Sequence, residues 1–408
     1  MKKPIHKLII SLFSILILLT NNTCNYCPNR TTEEIGKQWT FMLYADEDYS
    51  PSYNRFRDFK STVCSSDQIN IVIMEDQNRY PANYWYINEG FEAELLEKLD
   101  EVNMGAQSTL EDFIKYSKEH YPAERYILGI YDHGGGWIGS CVDESNNNNW
   151  LTPKEMSDAI KSTGEIDILI MIACSMGAIE VVYQLDEIVE VFIGSENSAT
   201  YDYFGNAWED IFTYMESNSE VSNIDLGSLI IDSIWNHGSE VIDYIFYFNL
   251  TMSAINCSTI EPLVKYLDDL SILYLDNFSS FSSKLNVIMS SIKNYRNNRI
   301  DLLDLLNKLN AIETNQEIKS KLAETINAYN DIIISECHGE GVWFSNGLSI
   351  YLPLPQLEYY NSYYSSDDLG LQFVKDTHWD ELIELFYQST NQLIRYKIPD
   401  MSMFDIFE

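Results

Sequence analysis

The chain has 408 residues, 45% of them hydrophobic and 13% aromatic, which is enough apolar material for a sizeable core and too much for a disordered chain. Its 62 acidic and 26 basic side chains leave a formal charge of −36, a field that repels phosphate backbones and argues against nucleic acid as a partner. The seven cysteines show no repeated pairing pattern, so no disulfide scaffold is indicated, and their odd number leaves a thiol over unless chains pair.

Lys2, Lys3 and Lys7 precede about a dozen apolar residues at 8–19, too short a run to span a bilayer comfortably, and this reads as a signal peptide over 1–23. Export follows as the expectation: secreted, periplasmic or held at the cell surface. Cys24 and Cys27 lie where a lipid-modified cysteine would tether the chain to a membrane, although Asn21-Asn22-Thr23 departs from the small-residue cleavage pattern. A polar lead-in covers 24–37, one domain 38–390, and a tail 391–408.

Trp39-Thr40-Phe41-Met42-Leu43-Tyr44 has the continuous apolar character of a buried strand and runs into Asp46-Glu47-Asp48. Ile69-Asn70-Ile71-Val72-Ile73-Met74 repeats the pattern and closes on Glu75-Asp76. Tyr126-Ile127-Leu128-Gly129-Ile130-Tyr131 leads to Asp132-His133, and residues 166–173 lead to Cys174. Helical patterns at 110–120 and 153–161 fall between the strands, so the fold class is α/β, a mainly parallel sheet with helices on both faces. Right-handed crossovers put the four polar strand ends on one edge, where ligands bind in such sheets. Residues 205–335 read as mostly additional helices, with a β-branched and aromatic interruption at 241–248. Strand character returns at 342–344 and 348–352 before Pro353.

Two of these strand ends carry chemistry. Asp132-His133-Gly134-Gly135-Gly136-Trp137 holds an imidazole at a strand end, where it can act as a general base, beside glycines that let a substrate approach the backbone. Forty-one residues on, Cys174 ends the next strand, and the helical spacing of 176–183 places the thiol at a helix N-terminus, where the dipole favours thiolate. A single helix joins the two strands, which makes them neighbours. His133 and Cys174 then meet at one rim, with the backbone N–H groups of Gly134 and Cys174 available to an oxyanion.

Asp132-His133-Gly134-Gly135-Gly136-Trp137, then Leu151-Thr152-Pro153-Lys154-Glu155, then Ala173-Cys174-Ser175-Met176-Gly177 resembles, in order and spacing, the clostripain family of cysteine peptidases. The match continues through Gly194-Ser195-Glu196, residues 205–208, Asn346-Gly347-Leu348-Ser349-Ile350-Tyr351-Leu352-Pro353 and Trp379-Asp380. What the resemblance implies is a caspase-like α/β fold, hydrolysis of protein or peptide substrates after a basic residue, His133 as catalytic histidine and Cys174 as nucleophile. It also implies that some relatives use calcium or cleave themselves.

Relatives commonly carry an acidic residue two before the cysteine to meet a basic substrate side chain, and Ile172 stands there instead. Ser195, Glu196 and Asp202 follow the next strand, and Glu196 or Asp202 can supply a carboxylate in its place. The 141–150 loop, near the point where self-cleaving relatives are cut, holds no Lys or Arg, although Lys154 is close. No His/Cys group has zinc spacing. Asp46 and Asp48 offer the oxygen ligands calcium takes, although acidic loops of this kind are usually just solvated.

Two other readings stand beside the peptidase. His133-Gly134-Gly135-Gly136-Trp137 also resembles an esterase oxyanion loop, with Ser175 as nucleophile, but its acid and base would have to come from the adjacent Asp376 and His378. The third is an inactive binding protein on a peptidase scaffold, against which the retention of both His133 and Cys174 argues.

Overall fold

A computed structural model describes residues 36–389, apart from 49–54, 79, 206, 242–246, 296–297, 354–358, 361–362 and 364–369, together with 395–396. The expected signal peptide, Cys24 and Cys27 lie outside the described residues, as does the tail except for 395–396. From Lys37 onward the described chain forms one compact unit. Among the described residues no helix is long and apolar enough to cross a membrane.

The four apolar runs read from the sequence are the centre of a nine-stranded sheet. β1 (Lys37–Asp46) pairs in parallel with β2 (Ile69–Gln77) and with β5 (Ala123–Tyr131), while β3 (Tyr80–Ile87) and β4 (Ala93–Lys98) continue antiparallel from β2 to one edge. After the hairpin β6 (Ser140–Asp143) and β7 (Asn149–Leu151), β8 (Ile166–Ile172) pairs in parallel with β5, and β9 (Val189–Gly194) with β8. β10 (Thr251–Asn256) lies antiparallel to β9, and a later strand, Ile333–His338, closes that edge. The sheet is thus parallel in its five central strands and antiparallel at both sides.

Continuous apolar runs are needed because both faces are covered. On one face Met42, Tyr44, Val72, Met74, Leu128, Ile130, Leu169 and Met171 belong to a core shared with helices Gln107–His120, Pro153–Thr163 and Ile179–Gln184. The alternate residues Phe41, Leu43, Ile71, Ile73, Ile127, Ile168, Ile170 and Ile172 face helices Ala207–Ser217 and Asn223–Val241. Helix Pro153–Thr163 begins where Thr152 accepts from the Glu155 N–H and Glu155 returns a bond to the Thr152 N–H, with Pro153 at the first turn. Such a capping box contributes about 1 kcal/mol and accounts for Thr152-Pro153-Lys154-Glu155 on local grounds alone.

Several expectations need correction. Within 205–335, helices Ala207–Ser217, Asn223–Val241, Glu261–Asp276, Phe278–Met289, Leu302–Ile312 and Gln316–Ile332 are present, but so is β10, whose Ser253 and Asn256 interrupt an apolar pattern. Most of the expected interruption at 241–248 lies outside the described residues. The strand expected at 342–344 is instead the short 3₁₀ turn Glu340–Val342, and the sheet takes up Ile333–His338. A small separate sheet joins β11 (Asn294–Tyr295), β12 (Arg299–Asp301) and, after Ile333–His338 as β13, β14 (Ser349–Tyr351). β14 docks on the turn after β8, with the Ser349 N–H donating to the Gly177 carbonyl at 2.9 Å.

Candidate active site

β5 and β8 end in register at Tyr131 and Ile172, and His133 and Cys174 each follow two residues later. The two candidate residues therefore leave adjacent parallel strands at the same level. Their loops touch: a Cβ on Gly134 would overlap the Cys174 carbonyl oxygen and stand 3.0 Å from the Cys174 nitrogen, so only glycine permits the approach. Gly134 bridges to Ser140, flanked by bonds from Gly135 N to Gly139 O at 2.9 Å and from Cys141 N to His133 O at 3.2 Å. In that pattern the Gly134 N–H points out of the ladder.

The Cys174 sulfur is half-buried, and its Sγ lies 3.3 Å from both the backbone N and O of Ala199, beyond the end of β9. Burial pushes the His133 imidazole down to about 4, so the ring is neutral near pH 7 and able to accept a proton. The helix after Cys174 starts only at Ile179 and has six residues. Cys174 is thus not at a helix N-terminus as expected; it sits in a turn in which Ser175 adopts φ 73°. β14 packing against Gly177 keeps 174–178 out of the helix.

Positive charge comes instead from a residue the sequence reading passed over. Arg299 of β12 is fully buried, and its Nη1 donates to the Ser175 carbonyl. Gly136 at φ 70° leaves the space this guanidinium fills, since a Cβ there would collide with Nη1. Burial lowers the Arg299 pKa to about 10, opposed first by Glu180, with the Cys174 sulfur and Glu196 also within its field. Glu180 is itself fully buried and accepts from the Tyr351 N–H at 2.8 Å and the Tyr363 hydroxyl at 3.0 Å.

The expected substrate-binding residues fall into different settings. Ile172 is the last residue of β8, 1% exposed and packed in the core face with Tyr131, Tyr201 and Tyr203. Ser195 is buried and shares a 2.7 Å hydrogen bond with Thr251. Glu196 is also buried; it accepts from the Gly347 N–H at 3.0 Å and hydrogen-bonds to Asp301, and burial with the Asp301 charge holds its carboxyl well above the usual range. Glu196 is therefore occupied internally. Asp202, half-buried in the turn Tyr201–Tyr203, is the more exposed of the two carboxylates. The segment 141–150 forms the β6–β7 hairpin, and Lys154 pairs with Asp158 on the following helix.

The acidic strand ends are not solvated. Asp46 and Asp76 are register partners at the ends of β1 and β2 and both are 0% exposed, while Asp48 is 1% exposed. Burial, then Asp132, Asp48 and Asp143, raises the Asp46 pKa well above the carboxylate range; burial and Glu101 push Asp76 to about 8. One carboxylate oxygen from each of Asp48, Glu101 and Asp143 lies within 4.8 Å of the others, a donor set of hard oxygens that fits calcium and not zinc. A recess of ≈ 910 Å³ opens at the opposite edge of the sheet, lined in part by Lys118, Glu124, Asp167 and Glu190, and none of the chemistry above faces it.

The sequence matches the clostripain family, Peptidase C11, over residues 43–386. It is 26% identical to clostripain of Hathewaya histolytica over 196 residues, which is 38% of this chain and 37% of that one, so the match spans little over a third of that relative. A secreted C11 cysteine protease from Bacteroides thetaiotaomicron, solved with an irreversible peptide inhibitor, superimposes with TM-score 0.65 at 17% identity over 85% of this chain and 100% of that one. An inactive zymogen C11 protease from Parabacteroides distasonis gives TM-score 0.60 at 18% identity, covering 84% and 98%. These likenesses carry the fold, which is caspase-like as expected. The family match extends over most of the chain, including both strand ends with their His133 and Cys174, and the chain belongs to the clostripain family of cysteine peptidases.

Proposed function

We propose that the chain is an exported endopeptidase that cleaves peptide bonds with Cys174 as nucleophile and His133 as general acid and base. The observation that carries this reading is the contact of the Gly134 and Cys174 backbones at the level ends of β5 and β8. Neutral His133 takes the thiol proton, and the sulfur attacks the substrate carbonyl carbon. The oxyanion receives the N–H groups of Gly134 and Cys174, and His133 returns its proton to the departing amine. Water, deprotonated by His133, then releases the acyl group from the thioester.

Asp202 is the group proposed to select a basic side chain, and Ile172 and Ser195, both buried, are assigned packing parts. Glu196 is assigned a supporting part, because its carboxyl is already engaged with Gly347 and Asp301. Export rests on the basic and apolar character of residues 1–23, and the Bacteroides thetaiotaomicron relative is described as secreted. Lipidation at Cys24 or Cys27 would add a membrane tether.

A peptide-library digest with wild type, Cys174→Ala and Ser175→Ala tests activity, nucleophile and side-chain preference together. Turnover should vanish with the first variant and persist with the second. Ser175 is 1% exposed with its N–H bonded to Asn197 O at 2.6 Å, which favours a positioning part for it. The reverse pattern of loss would transfer the nucleophile to Ser175 and end the peptidase mechanism.

A further inference from the structure

The rim that carries the candidate pair continues into exposed aromatic surface. From β5 the strand order runs through β8, β9 and β10 to β13 at the edge. β10 runs opposite to β9 and so begins where β9 ends, with Ser253 the register partner of Gly194 and Thr251 that of His338. The segments just before β10 and just after β13 therefore stand on the same rim as His133 and Cys174. Phe248 lies on the first and is 36% exposed; Trp343 lies on the second and is 66% exposed. A lone exposed aromatic carries no message, but these two are fixed to each other and to the nucleophile loop. A Cβ on Gly341 would overlap the Phe248 ring, so that ring lies on the turn Glu340–Val342 that presents Trp343. The Gly339 N–H donates to the Leu250 carbonyl at 2.9 Å, and Trp343 meets Phe344 edge to face at 6.0 Å between ring centroids. Asn197 makes the link to the site. Its carbonyl accepts from the Ser175 N–H at 2.6 Å, its own N–H donates to the Thr251 hydroxyl at 3.1 Å, and its side chain donates to the Asn249 carbonyl at 3.4 Å.

We propose that Phe248 and Trp343 form a subsite for an aromatic or branched aliphatic side chain of the substrate, three or four residues before the bond that is cleaved. Reach sets the position. Neighbouring strands lie about 4.8 Å apart, which puts β10 about 10 Å and β13 about 14 Å from β8, and an extended peptide covers those spans in three to four residues of about 3.3 Å each. Direction follows from the proposed roles of Cys174 and His133, on which the inference rests. His133 leaves β5, on the other side of β8 from β9, and protonates the departing amine, so the leaving half of the substrate runs toward β5. The acyl half then crosses the ends of β9, β10 and β13, where the two rings stand. An apolar side chain laid against them takes aromatic surface out of water. The substrate class is thereby narrowed to chains with an apolar anchor upstream of the residue that Asp202 meets.

Binding and turnover are measured on the full chain with peptides that differ only in carrying Phe, Leu or Ala at the third or fourth residue before an Arg. Calorimetric titration of the Cys174→Ala protein reads affinity without the chemical step. Expected is affinity at least about 10-fold higher for the Phe or Leu peptide than for the Ala peptide at one of the two positions, and the same ratio in kcat/KM for wild type. Adding Trp343→Ala should shrink that ratio to within about twofold. Phe248→Ala should do the same, but its ring supports the Gly341 turn, so Trp343→Ala, at the more exposed position, decides. Val287→Ala, an exposed apolar residue on helix Phe278–Met289, should leave the ratio unchanged. Equal affinity for the three peptides at both positions, or a ratio that survives Trp343→Ala, would overturn the subsite. A wild type that turns over none of the peptides while the affinity ratio stands would instead remove the catalytic reading and uphold the subsite.

Discussion

Arg299 donates through Nη1 to the carbonyl of Ser175, the residue immediately after the proposed nucleophile, while its guanidinium occupies the space left by Gly136 three residues past His133. One buried side chain thus touches both loops of the candidate pair.

Replacing it separates charge from shape. Arg299→Lys keeps the charge beside Glu180 but loses the planar fork, and we expect a folded protein with kcat lowered about 10-fold or more and KM little changed. Arg299→Met leaves Glu180 buried without its nearest cation, which costs about 3–5 kcal/mol. Thermal melts and steady-state kinetics on both variants read the two effects apart. Equal kinetics for Arg299→Lys and wild type would reduce Arg299 to a packing residue.

Gly134→Ala places a methyl group against the Cys174 carbonyl. The loops must separate to accept it, so turnover should fall at least about 10²-fold, the scale seen when an oxyanion donor is removed. Iodoacetamide should still alkylate Cys174, because the variant displaces the proposed oxyanion donor and retains the thiol. Comparing turnover with alkylation rate checks this.

The neutral imidazole has a pH consequence. With the His133 pKa lowered to about 4 by burial, the base form persists far below the ordinary histidine range. The acid limb of the kcat/KM profile should therefore not fall near pH 6.5. The linkage sign is that of a depressed folded-state pKa: the unfolded chain binds the extra proton first, so stability from this group is full above about 6.5 and declines as pH drops toward 4. A kcat/KM profile from pH 4 to 8 would show it, and an acid limb centred at 6.5 would count against the buried setting of His133.

Glu196 and Asp301 form a buried, hydrogen-bonded carboxyl pair, with Asp301 pushed up to about 6 and Glu196 well above its usual range, chiefly by burial. Both folded-state values exceed the unfolded ones, so the stability they contribute is complete at low pH and is lost as pH rises through about 6. Glu196→Gln supplies a permanent donor to Asp301 and an acceptor for the Gly347 N–H. Melting temperature at pH 8 should rise, by about 1–3 kcal/mol of stability, and its slope between pH 5 and 8 should flatten. An unchanged slope would show that the pair holds no shared proton.

Substrate preference offers a fifth check. Asp202→Asn should lower kcat/KM for substrates cleaved after Arg or Lys at least about 10-fold, while leaving substrates with a neutral side chain there within about twofold. Parallel digestion of matched peptides measures the ratio. An unaltered ratio would remove Asp202 from the selecting role.

Much of this molecule is written locally. Continuous runs such as Ile71-Val72-Ile73 can be stable only when covered on both sides, and Thr152-Pro153-Glu155 starts a helix with bonds spanning three residues. The matching distances from His133 and Cys174 to their strand ends follow from two neighbouring strands of one register, which the strand–helix–strand order implied. What chain order could not supply is which distant groups arrive at the rim. β10 and β13 were missed because polar residues interrupt short strands whose pairing is non-local. Arg299 stands in the sequence as one charge ahead of a leucine-rich helix, and only its burial against Ser175 gives it a role. Asp46 and Asp48 read as a solvated loop until β2 and the β6–β7 hairpin closed over them. In each case the local pattern records what a segment prefers, whereas burial and charge depend on what the folded chain brings beside it.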